Sequence, residues 1–155
     1  MVAAAMASIT LPAVPAVASS QGAGKVVSLA SFKALRESAE WSTLRAKLSR
    51  WRNLPDDWDG EGADAPVDAV VDAADDLLRE LILIDAPAPV ATIAGDGEVA
   101  FEWENEGGYA SASFTDDGHF IAFLQEDGLA DPLRIDEFYS PEAMRPFLER
   151  IGAFG

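Results

Sequence analysis

The sequence predicts an α+β domain in which N-terminal helices and a C-terminal helix pack on one face of a four-stranded antiparallel meander sheet. Three observations carry that expectation. Val67, Val70, Val71, Ala74, Leu77, Leu78, Leu81 and Ile82 recur at the i, i+3, i+4 spacing of a helix with one apolar face. Gly95-Asp96-Gly97, Asn105-Glu106-Gly107 and Asp116-Asp117-Gly118 separate four short extended segments and have the composition of hairpin turns. Ser140-Pro141-Glu142 sets a capping hydroxyl before a proline at the first helical position.

Taken in order, residues 1–26 read as a disordered leader and 27–155 as a single domain. The leader is rich in Ala, Val and Ser, and Ala16-Val17-Ala18 has the small-x-small form of a signal-peptidase site. It carries no Lys or Arg before Lys25, and Pro12 and Pro15 break its apolar run, so a cytoplasmic protein is expected. The absence of cysteine permits a reducing compartment. No apolar run reaches the length of a membrane span.

Ser28 or Ser31 can cap a first helix that would bury Leu29, Phe32 and Leu35. A second apolar phase places Trp41, Leu44, Leu48 and Trp51 on one stripe, which implies a kink or two helices. Pro55 stops this element, because proline disfavours helical geometry in the residue before it. The helix over 67–82 sets Asp68, Asp72, Asp75, Asp76 and Glu80 on its polar side. Strands are expected at 90–94, 98–104, 108–115 and 119–126. The small residues of Tyr109-Ala110-Ser111-Ala112-Ser113 favour close approach of a helix over an open groove. The last helix presents Met144, Phe147, Leu148 and Ile151.

Charge is distributed unevenly along the 155 residues, whose formal net charge is −16. Residues 1–53 hold seven basic against two acidic side chains, a balance of +5, and the rest holds four against twenty-five, a balance of −21. Such an acidic chain repels phosphate, which disfavours a nucleic-acid partner, and it attracts basic protein surfaces. The expected contact face is Asp68, Asp72, Asp75, Asp76 and Glu80, extended by Asp56, Asp57 and Asp64. Arg45, Arg50 and Arg52 can neutralise part of that face from within the fold.

The segment joining the basic helix to the acidic one, Leu54-Pro55-Asp56-Asp57-Trp58-Asp59-Gly60-Glu61-Gly62-Ala63-Asp64-Ala65-Pro66, supports two readings. In the structural one, Asp56, Asp57 and Asp59 accept loop amides, Trp58 anchors into the core, Gly60 and Gly62 supply positive φ, and Asp64 caps the next helix. In the alternative, Asp57, Asp59, Glu61 and Asp68 take positions 1, 3, 5 and 12 of a calcium loop with Gly62 at position 6. Asp64 at position 8, Asp68 in place of a bidentate Glu, and Pro66 in the second helix depart from that pattern. The structural reading is preferred, and no cofactor is expected on it.

Trp58-Asp59-Gly60-x-Gly62-Ala63, followed by an amphipathic helix and by Gly97-Glu98-Val99-Ala100-Phe101-Glu102-Trp103, resembles a group of small bacterial proteins with a Trp-Asp-Gly-Tyr-Gly-Ala signature and a later Gly-x-x-x-x-Glu-Trp strand. The resemblance covers residues 48 to 125 and departs at Glu61, where the group has Tyr. It carries no established activity. It implies association with mobile elements or toxin–antitoxin-like pairs, and hence a protein partner.

No catalytic motif accompanies these features. His119 is the only histidine, and G-x-S-x-G, Walker and H-E-x-x-H patterns are absent. Asp57 with Asp59, and Glu102 with Glu104, are carboxylate pairs of a kind that chance supplies in so acidic a chain. The sequence therefore points to an acidic, non-catalytic protein that binds and regulates a protein partner with a basic surface, antitoxin-like or immunity-like. A divalent-metal module is the alternative.

Overall fold

The computed structural model describes residues 29–154, with side chains from Ser38 onward. The leader and the cap at Ser28 lie outside the described residues. Helix α1 (Leu29–Trp51) and helix α2 (Asp68–Leu83) precede strands β1 (Val90–Ile93), β2 (Val99–Asn105), β3 (Gly108–Phe114), β4 (His119–Glu126) and β5 (Leu133–Phe138), and helix α3 (Pro141–Ile151) closes the chain. The strands form one antiparallel sheet in chain order. The α+β architecture follows the sequence expectation, with one strand more.

Helix α1 is a single element through the change of apolar phase, and it starts two residues before Ser31, so Ser31 is not its cap. Leu44, Leu48 and Trp51 are buried as their spacing requires, with Trp41 packed beside them. Helix α2 buries Val70, Val71, Ala73, Ala74, Leu77, Leu78 and Leu81. Val67 occupies its N-cap position without a side-chain hydrogen bond, which corrects the expected capping by Asp64. Instead the Asp64 amide donates to Gly95 O at 2.8 Å, so the chain runs extended past Pro66 before the helix can begin. Ser140 does cap α3, its hydroxyl accepting from Ala143 N at 3.1 Å.

The sheet's inner face is a set of registered apolar rows. Phe101 faces Ala112, Trp103 faces Ala110, and Phe114 faces Phe120 across the ladders. Ala110 and Ala112 are fully buried beneath α2, so the small residues of β3 admit a helix as expected. From α3, Phe147 reaches Trp103 at 5.6 Å and Phe120 at 6.2 Å between ring centroids. The indole N–H of Trp103 donates to Pro87 O at 2.8 Å, which satisfies the one polar atom of a buried ring.

Candidate functional site

The loop between α1 and α2 is stapled by its own carboxylates. Asp59 Oδ1 accepts from Glu61 N at 2.8 Å and Ala63 N at 3.1 Å, and Asp57 Oδ1 accepts from Gly62 N at 2.7 Å. Asp56 Oδ1 receives the Ala65 amide at 3.4 Å, and Asp57 N closes the loop on Ala63 O at 2.7 Å. Gly60 and Gly62 take φ of 76° and 91°, the left-handed values the turns need. Asp57 itself adopts a φ of 60°, which an Asp tolerates better than most side chains. The amides of Glu61 and then Ala63 hold the Asp59 carboxyl below its ordinary range, because they stabilise its charged form.

Trp58 differs from its expected role. It is half-buried, outside the main core, and its indole N–H donates to Asp64 O at 3.2 Å. It therefore pins the loop to itself. The four residues of the calcium reading are not gathered around one point: Asp57 and Asp59 serve loop amides, and Asp68 lies 3.6 Å from the Arg52 guanidinium. Among the described residues no group of three or more His, Asp or Glu is placed to hold a metal ion.

The acidic side of α2 carries less free charge than its sequence suggests. Arg52, at the end of α1, donates to Asp72 at 2.6 Å as well as approaching Asp68. Arg79 bridges Asp75 and Asp76, each at 2.5 Å. Neither Arg45 nor Arg50 forms an ion pair with an α2 acid, so Arg52 alone of the three performs the internal neutralisation. Glu80 borders a groove of about 490 Å³ between α2 and α3 that Arg79 and Arg145 also line. Asp64 remains exposed beside the loop.

A surface that the sequence did not single out lies on the opposite side of the molecule. The outer face of β4 presents His119, Ile121 and Phe123 in succession, Phe138 of β5 lies across from His119, and Tyr109 of β3 adjoins Phe123. Ring centroids of His119 and Phe138 are 4.4 Å apart, and those of Tyr109 and Phe123 6.2 Å apart. Phe138 is 71% exposed and Ile121 40%. Glu102, Glu104 and Asp136 rim the stripe, and Arg134 lies over Phe123 at 5.3 Å. The Tyr109 hydroxyl donates to Glu102 at 3.2 Å. His119 Nδ1 sits 2.9 Å from Asp136, and that hydrogen bond raises the imidazole above its ordinary range.

Sequence reasoning missed this stripe because β4 is apolar on both faces. Phe120, Ala122 and Leu124 face the core while Ile121 and Phe123 face out, so the alternation that marks an exposed side is erased. The only signal was the excess of large apolar residues in a strand of a sheet with helices expected on one face. Comparison with protein-family models, with curated proteins and with solved structures finds no match to this chain. No helix among the described residues is long and apolar enough to cross a membrane.

Proposed function

We propose that this is an acidic, non-catalytic protein-binding protein, antitoxin-like or immunity-like, that seats a protein partner on the outer face of its sheet. One observation carries the reading: the stripe of exposed Tyr109, Ile121 and Phe138 with half-buried Phe123, rimmed among the described residues by Glu102, Glu104 and Asp136. An apolar centre rich in aromatics inside a charged rim is the anatomy of a protein interface, and the sign of the rim calls for a partner with basic residues around an apolar patch. The −16 net charge steers such a partner from a distance. The α2 acids, half neutralised by Arg52 and Arg79, contribute to that field more than to the seat. The resemblance to small proteins of toxin–antitoxin-like pairs agrees with a dedicated partner.

A pull-down from the native host tests this with three baits: the unaltered chain, Ile121→Lys with Phe138→Lys, and Asp72→Asn with Glu80→Gln. The same protein should be retained by the first and third baits and lost from the second. Retention by the sheet-face variant, with loss from the α2 variant, would move the seat to the helix and overturn the proposal.

A further inference from the structure

The two edges of the sheet are treated differently. Along β1, the bond from Ala94 N to Glu98 O at 2.9 Å fixes the ladder rows, and these turn the backbone groups of Ala91 and Ile93 away from β2. Lys47 of α1 donates from Nζ to that outward Ala91 carbonyl at 2.5 Å, across a groove between α1 and this edge that Thr43, Val90 and Ala91 also line. A lysine over an edge strand is a known device against strand addition.

Among the described residues strand β5 has no such guard. Tyr139 N donates to Gly118 O at 2.8 Å, and the same row pattern continues through the pairs of Glu137 with Phe120, Ile135 with Ala122 and Leu133 with Leu124. The amides and carbonyls of Arg134, Asp136 and Phe138 therefore point away from β4. No described residue hydrogen-bonds to them.

We propose that a second copy of this chain pairs along this edge, β5 against β5 in antiparallel sense, about a twofold axis perpendicular to the sheet and midway between the two Ile135 residues. The inference does not rest on the partner reading above. It commits to one register because the edge charges are self-complementary there. With Ile135 opposite Ile135 of the second copy, Arg134 faces Asp136 twice, on the outer side of the joined sheet. A shift of two residues either way sets Arg134 against Arg134 or Asp136 against Asp136. The outward N–H and C=O groups of Arg134 and Asp136 are the ones that bond in this register. Half-buried Ile135 and Leu133 gain cover on the inner face. A strand whose charges served only to repel its own kind would carry one sign, whereas this edge alternates arginine and aspartate at i and i+2.

The test is sedimentation of the full chain in about 0.15 M salt, where repulsion between two acidic copies is screened beyond roughly 8 Å. All variants are compared at one pH, because Asp136 also lies 2.9 Å from His119 Nδ1. The unaltered chain should run at twice 16.5 kDa. Arg134→Asp and Asp136→Arg should each weaken association on the order of tenfold or more, and the double exchange should restore it. Arg134→Pro removes an N–H that no strand of its own chain uses, so it should leave the circular dichroism unchanged and abolish the dimer. A monomer at every concentration would overturn the proposal, as would dimers indifferent to all four variants, or a double exchange no better than the single ones.

Discussion

The Tyr139 hydroxyl donates to Asp76 Oδ2 at 2.9 Å, tying the chain that leaves β5 to the middle of α2, 63 residues earlier in the sequence. Phe114 meets the same ring edge-on at 5.6 Å, so one side chain links helix, sheet and the approach to α3. Burial, and then the bond to the Asp76 carboxylate, push the Tyr139 phenol well above its usual range.

Tyr139→Phe should cost about 1.5–3 kcal/mol at neutral pH, the ordinary loss for a hydrogen bond to a charged acceptor. A group whose folded pKa is raised contributes stability below its unfolded value and loses it as pH climbs through the folded one. Above about pH 10, where the phenol of the unfolded chain ionises, the unaltered protein should therefore lose stability that the Phe variant does not. Urea titrations of both proteins at neutral and alkaline pH read the difference.

Asp59 acts on the other arm of the pH profile. Its folded pKa is depressed by the amides of Glu61 and Ala63, so its contribution is present above the unfolded value near 4 and disappears as pH falls through the folded one. Asp59→Asn should lower the melting temperature at pH 7 and flatten its fall between about pH 4 and pH 2. An unchanged acid slope would show that the loop staple does not depend on this charge.

Phe147→Ala should be the most damaging substitution in α3. The ring is fully buried between Trp103 and Phe120, and removing it leaves a cavity where helix meets sheet. The expected loss is about 3–5 kcal/mol, measurable as a shift of the denaturation midpoint at unchanged slope. Phe147→Leu should recover much of it.

The helix pattern of α2 was legible from Val70 to Leu81, whose apolar positions face a single core, but not at its ends, where Val67 is an exposed N-cap and Ile82 is half-buried. The three hairpin turns were legible for the same local reason. Strand β5 was not: Leu133 and Ile135 face inward, but Glu137 continues the same face and Phe138 points out, so the alternation lasts only two residues. The charged run after Asp131-Pro132 therefore reads as loop. The loop staple around Asp57 and Asp59 could be read from residue types, because Asx side chains and glycines act over short distances. What Trp58 contacts could not, since a half-buried ring beside a turn and a core anchor have the same sequence signature. The pairing of Arg52 with Asp68 and Asp72 depends on how α1 crosses α2, which no local pattern encodes.

The contact from Lys47 to the Ala91 carbonyl decides how far association through the backbone can go. A sheet with both margins available is a bifunctional monomer, able to lengthen at either end into a fibre whose strands stack without limit. Capping one margin makes it monofunctional. Any copy added at the remaining margin brings its own cap on the far side, so growth terminates with the first addition and the product is a closed pair. Lys47→Ala would return the second functional end, and filaments, visible by light scattering or by a cross-β diffraction spacing, are the expected result.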